Sequence, residues 1–136
     1  MVGSLYAGYP DGLWNLPGGR QEAHELLEET VVREVFEETA LQARCNEFAY
    51  MIESYDGDRH FLATIFHIDL AAGDPRPPTR GDHVIAARWV MIDEIDRLPM
   101  AAIVRDPLRA YLDRALPRRY LGRTIAGVTI DWEDEP

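Results

Sequence analysis

From Gln21 to Leu41 the chain runs without a proline, and apolar and acidic residues recur there at helical spacing. Val31, Val32, Val35 and Phe36 group on one side and can bury it, so the stretch is predicted to form a single long helix from Gln21 to Leu41. Positions i, i+3 and i+4 of a helix share about one third of its circumference, so Glu34, Glu37 and Glu38 present three carboxylates to one volume. Like charges so placed repel by a few tenths of a kcal/mol per pair, and by more where the face is enclosed. A hard divalent cation offsets that repulsion. Carboxylate oxygens suit Mg²⁺, Mn²⁺ or Ca²⁺, whereas zinc favours His or Cys, and His24, His60, His67 and His83 show no ligand spacing. Arg33 stands four residues before Glu37 and can hold that carboxylate.

Just upstream, Leu16-Pro17-Gly18-Gly19-Arg20 makes a turn whose paired glycines let the backbone approach an ion or phosphate closely. Arg20 can meet a phosphate, and Trp14 can pack or stack on a base. The rest reads as a mixed sheet packed between helices. Residues 1–21 read as loop with one extended piece near Leu13 to Leu16. Residues 41–55 and 59–70 form a hairpin about Asp56-Gly57-Asp58, and a proline-rich connection runs from Gly73 to Asp82. A strand follows from Val84 to Ile92, then a short helix begun by Asp93, a helix from Asp106 to Leu116, and a last strand at Gly127 to Ile130.

Composition narrows the partners. At 136 residues, 46% hydrophobic and 28% charged, the chain suits one soluble domain, and no apolar run nears the roughly 20 residues that span a bilayer. A net charge of −10 argues against a nucleic-acid polymer, which is held by neutralising its phosphates with basic side chains. All fourteen basic residues are Arg, so no Lys is available for a Schiff base or a Walker-type phosphate contact. The lone Cys45 allows no internal disulfide, and with no signal segment at the start a reducing cytoplasm is the expected location.

Gly19, five residues, Glu25, seven residues, then Arg33-Glu34-Val35-Phe36-Glu37-Glu38-Thr39-Ala40-Leu41 resembles the signature box of the Nudix hydrolases, the MutT-like family. Every position matches except the last glycine, replaced by Ala40, and His24 stands where relatives often carry Gly. The resemblance implies an α/β fold, an α/β/α sandwich with a mixed β-sheet and a loop-helix-loop catalytic motif, over a single domain of residues 1–136. It implies that Glu34, Glu37, Glu38 and the Gly19 carbonyl hold Mg²⁺ or Mn²⁺, with Glu25 and Arg33 orienting them; Gly18, Arg20 and Trp14 are the candidate substrate contacts on the reading of the residues given above. The implied reaction is attack of water on a diphosphate, with a nucleoside di- or triphosphate as the small-molecule partner, oxidised nucleotides included. ADP-ribose, dinucleoside polyphosphates and nucleotide sugars stay open as substrates, as does a homodimer.

Many members place an acidic residue about six positions before the tryptophan matching Trp89; His83 occupies that place here, and its neighbour Asp82 is the candidate base. Ala40 falls where a left-handed helix end is expected, at a cost on the order of 1 kcal/mol and without touching ligand. Relatives usually carry a further strand ahead of Leu13 to Gly19, so a late start, the C-terminal segment or a second subunit is expected to fill that place. Two competing classes are weaker. A non-catalytic nucleotide sensor would be expected to lose Glu37 or Glu38, and an isoprenoid diphosphate isomerase would need a reactive cysteine, which Cys45, in a predicted strand, does not offer.

Overall fold

The strongest predicted element is present but shorter: helix α1 spans Leu27–Thr39 in the computed structural model, which describes residues 1–79, 83–116 and 119–123. Residues 21–26 do not join it, because their polar groups are used locally. Glu22 N–H donates to the Glu25 carboxylate at 3.0 Å, Gln21 Nε2 donates to the Glu25 carbonyl at 2.5 Å, and His24 is left-handed at φ 70°. Leu26 caps the helix without a side-chain oxygen, and the Glu29 carboxylate instead accepts the Leu26 N–H at 2.7 Å. At the other end Ala40 adopts φ 60°, ψ 12° and its N–H donates to Phe36 O at 2.8 Å, so the left-handed ending expected of a glycine is realised with an alanine. The buried face consists of Thr30, Val35, Glu38 and Thr39, while Val31 and Val32 are half-buried. Phe36 is 53% exposed, contrary to its predicted place beside the valines, because one residue on from Val35 it is turned about a quarter of the circumference away.

The first fifteen residues form a hairpin rather than a loop. Strand β1 (Val2–Tyr6) pairs antiparallel with β2 (Tyr9–Asn15) around Ala7-Gly8, where Gly8 takes φ 80°. Val2, Ser4 and Leu13 are buried, with Ser4 paired opposite Leu13. Strand β5 (Val84–Ala87) completes a sheet ordered β2-β1-β5. It ends before the predicted Ile92: Arg88 N–H still reaches Met1 O at 3.0 Å, but Trp89 turns away and gives its indole N–H to Gly73 O at 3.2 Å.

The second sheet, ordered β4-β3-β6, contains the predicted hairpin as β3 (Ala43–Asp56) and β4 (Arg59–Leu70), with β3 bulged between Cys45 and Tyr50. Strand β6 (Tyr120–Arg123) lies parallel to β3, so the C-terminal segment does contribute a strand; the one predicted at Gly127 to Ile130 lies outside the described residues. A 3-10 turn covers Ile92–Arg97, and helix α2 spans Ala102–Leu112, four residues earlier than predicted. Pro107 sits buried inside the helix, whose end comes where Arg114 turns left-handed at φ 57°.

Alternation along β4 shows how the layers stack. Ile65 packs with Tyr50, Ile52 and Ile103 on the α2 side, while Ile68 and Leu70 line a cavity with Val35, Thr39 and Leu41 on the α1 side. Odd and even residues of one strand thus carry opposite layers, giving helix, sheet, helix. A second cluster of Ile95, Met100 and Leu108, with Trp14 and Leu16 against it, ties the end of β2 to α2. The Gly-Gly turn leaves β2 from this anchored point. Among the described residues no helix is long and apolar enough to cross a membrane.

Candidate active site

The turn from Leu16 to Arg20 brings backbone against the acidic face of α1. Gly18 N–H donates to Glu38 Oε2 at 2.9 Å, and Glu38, only 2% exposed, is thereby held against the turn. At Gly19 the approach is closer still. A Cβ built there would lie 2.5 Å from the carboxyl carbon of Glu34, so only glycine admits that carboxylate.

Arg33 is the hub of the site. Its Nε donates to Glu25 Oε1 at 2.6 Å and its Nη2 to Glu25 Oε2 at 3.1 Å, a fork-to-fork pair. Its Nη1 donates to Glu34 Oε1 at 2.8 Å and to Glu37 Oε2 at 3.2 Å, and its Nη2 also reaches the Arg20 carbonyl at 3.0 Å. One guanidinium therefore fastens the loop to the helix and fixes two of the acidic side chains. Glu25 is further gripped by Glu22 N–H and by the Thr30 hydroxyl at 2.8 Å. The Arg33 guanidinium above all, then the backbone N–H, holds its carboxyl down to about 2; Glu25 in turn raises the pKa of Arg33.

The three predicted ligands are not equally gathered. Glu34 and Glu38 face the glycines, whereas the Glu37 side chain is 52% exposed and leans on Arg33. Among the described residues no three His, Cys, Asp or Glu side chains stand together at ligating separations. The donor set nevertheless fits a hard cation: every group is a carboxylate or carbonyl oxygen, and the cradle at Gly19 leaves backbone beside Glu34 where any side chain would intrude.

Arg20 offers its carbonyl to Arg33, and its side chain is exposed. Gly18 has open space where a Cβ would be. Trp14 packs against the α2 cluster with the Arg88 guanidinium 5.0 Å above its ring, and its backbone N–H donates to Pro99 O at 2.8 Å. Asp82 lies outside the described residues. Cys45 is half-buried, and burial pushes its thiol upward, away from the reactive thiolate. Thr30 was missed in the sequence, where a threonine in a first helical turn gives no sign of reaching back to Glu25.

A glycine turn facing a carboxylate helix, carried between the layers of an α/β/α sandwich, defines a family: the chain belongs to the Nudix hydrolases, and the NUDIX domain model matches residues 4–112. Among curated proteins it is similar to Phosphatase NudJ of Shigella boydii, 37% identical over 99 residues that cover 72% of this chain and 62% of that protein. The chain thus spans less than two thirds of that relative's length. Among solved structures, the MutT protein from Methanosarcina mazei Go1 aligns with a TM-score of 0.69 at 24% identity, covering 83% of this chain and 81% of that one. A NUDIX hydrolase from Nitrosomonas europaea gives 0.70 at 22% identity, covering 89% of this chain and 68% of that one. At such identities these two establish the fold alone.

Proposed function

We propose that this chain hydrolyses the diphosphate linkage of nucleoside di- or triphosphates, oxidised ones included, by attack of water on phosphorus. The observation that carries the reading is the Glu34 carboxylate, pressed against Gly19 and held by Arg33. Glu34, Glu38, Glu37 and the Gly19 carbonyl would hold Mg²⁺ or Mn²⁺, which when bound polarises the diphosphate and makes water more acidic. The chain's own groups do the rest. Arg33 keeps Glu34 and Glu37 from swinging into solvent, and Glu25 fixes Arg33. The backbone of the Gly18-Gly19 turn would face phosphate oxygens, and Arg20 offers a compensating positive charge. Asp82 is the candidate, named from the sequence, to take a proton from the attacking water. The water oxygen bonds to phosphorus as the bridging P–O bond breaks, and the departing phosphate carries away the bonding electrons.

The word phosphatase in the relative's name supports orthophosphate, rather than pyrophosphate, as the released product. The test is a panel of nucleoside di- and triphosphates, ADP-ribose, dinucleoside polyphosphates and nucleotide sugars, assayed with Mg²⁺ and with Mn²⁺ in ¹⁸O-water. Release of ¹⁸O-labelled product from a nucleoside di- or triphosphate supports the reading, and turnover confined to the conjugates overturns its substrate class.

A further inference from the structure

Thr30 is 6% exposed, sits in the first turn of α1, and brings a buried hydroxyl into contact with the Glu25-Arg33 pair. Its Oγ1 has two acceptors within reach, Glu25 Oε2 at 2.8 Å and the Leu26 carbonyl at 3.2 Å, but only one proton to give. The carboxylate is both nearer and charged, so it takes the proton, and the usual bond of a helical threonine to the carbonyl four residues back is the weaker contact. With that bond made, Glu25 Oε2 accepts from Glu22 N–H, Thr30 Oγ1 and Arg33 Nη2, while Oε1 accepts from Arg33 Nε. Donors from three separate residues hold Glu25 in one orientation, and Arg33 inherits it.

We propose that Thr30 is a positioning residue for the acidic site, acting through Glu25 and Arg33 to set where Glu34 and Glu37 stand. It touches neither substrate nor metal. The proposal rests on the assignment of Glu34 and Glu37 as ligands made above. The hydroxyl, rather than the branched shape of the side chain, is the active part, and this separates the role from packing in a helix terminus.

Thr30→Val keeps the branch and removes the donor; Thr30→Ser keeps the donor and removes the methyl. Mn²⁺ affinity of each purified protein, read by electron paramagnetic resonance of free ion without substrate, is the first measurement, and kcat and KM with Mg²⁺ the second. Partners one step beyond the ligands typically govern affinity by tenfold to a hundredfold, so a group one step further out is expected to cost about threefold to tenfold. Thr30→Val should weaken Mn²⁺ binding by that factor and lower kcat in parallel with KM nearly unchanged, and Thr30→Ser should stay within about twofold of the parent. Thermal melts confirm that each variant is folded at the assay temperature. Equal Mn²⁺ affinity in Thr30→Val and the parent overturns the proposal while leaving the metal reading intact, as does a loss in Thr30→Ser as large as in Thr30→Val. A parent that binds no Mn²⁺ removes the metal reading, and this proposal with it.

Discussion

Gly18 and Gly19 are adjacent and exposed, and neither is in the left-handed region, so alanine fits the backbone of both. They differ in what a methyl group would meet. At Gly18 there is nothing within 4 Å; at Gly19 the new carbon would lie 2.5 Å from the Glu34 carboxyl carbon. Carbon atoms pack at about 3.5–4.0 Å, so Gly19→Ala forces Glu34 to move by roughly 1 Å or more. The way out is rotation off Arg33, which gives up the 2.8 Å charge-assisted bond. Such a bond contributes about 1.5–3 kcal/mol, and a displacement of about 1 Å in a catalytic group costs up to about a hundredfold in rate. Gly19→Ala should therefore lower kcat/KM by about tenfold to a hundredfold, while Gly18→Ala stays within about twofold. Phosphate release with saturating Mg²⁺, alongside a thermal melt of each variant, measures both. Near-normal turnover in Gly19→Ala, or equal losses in the two variants, would refute the claim that Glu34 works from the cradle at Gly19.

Glu38→Gln preserves shape and can still accept the Gly18 N–H, so only the charge is lost; kcat should drop by about a hundredfold with little change in melting temperature. Ala40→Gly relieves a left-handed alanine at about 1–2 kcal/mol and gives back about 0.4–1 kcal/mol through the freer unfolded chain. Its melting temperature should rise by about 2–4 °C with activity unchanged, and a fall would contradict the geometry at the helix end. Glu25 titrates at about 2 when folded against an ordinary 4.5, so the folded protein binds fewer protons there than the unfolded chain. Its stabilising effect is complete above about pH 4.5 and is lost as pH falls toward 2. Acid unfolding of Glu25→Gln should depend less on pH across that window than that of the parent, and identical slopes would disprove the coupling to Arg33.

The sequence made the catalytic helix, its acidic face and the glycine turn legible because local rules govern all three: helical spacing, absence of proline, and the close approach that glycine permits. Ala40 was readable for the same reason. Features fixed by tertiary contact were not. The β1–β2 hairpin hid behind glycines and a proline that suggested loop, although Gly8 in a two-residue connection between Tyr6 and Tyr9 was the available signal. Phe36 was assigned to the buried side because hydrophobicity cannot say which arc of a helix meets the sheet, and the line of Val35 and Thr39 does so. Trp14 shows the converse. The sequence left packing and stacking on a base both open, and pairing with Gly3 and contact with Arg88 account for the packing, with the ring against the α2 cluster. Thr30 was invisible because its partner lies five residues back across a turn that no periodicity describes.

The central claim is that carboxylates gathered at a glycine turn make this chain a metal-dependent hydrolase of diphosphates. Its most direct test is hydrolysis of a nucleoside diphosphate before and after EDTA, followed by back-titration with Mg²⁺ or Mn²⁺. The expected result is complete loss on chelation and full recovery with either ion in the parent, with recovery failing in Glu34→Gln. Hydrolysis that persists in EDTA, or that returns equally in Glu34→Gln, would contradict it.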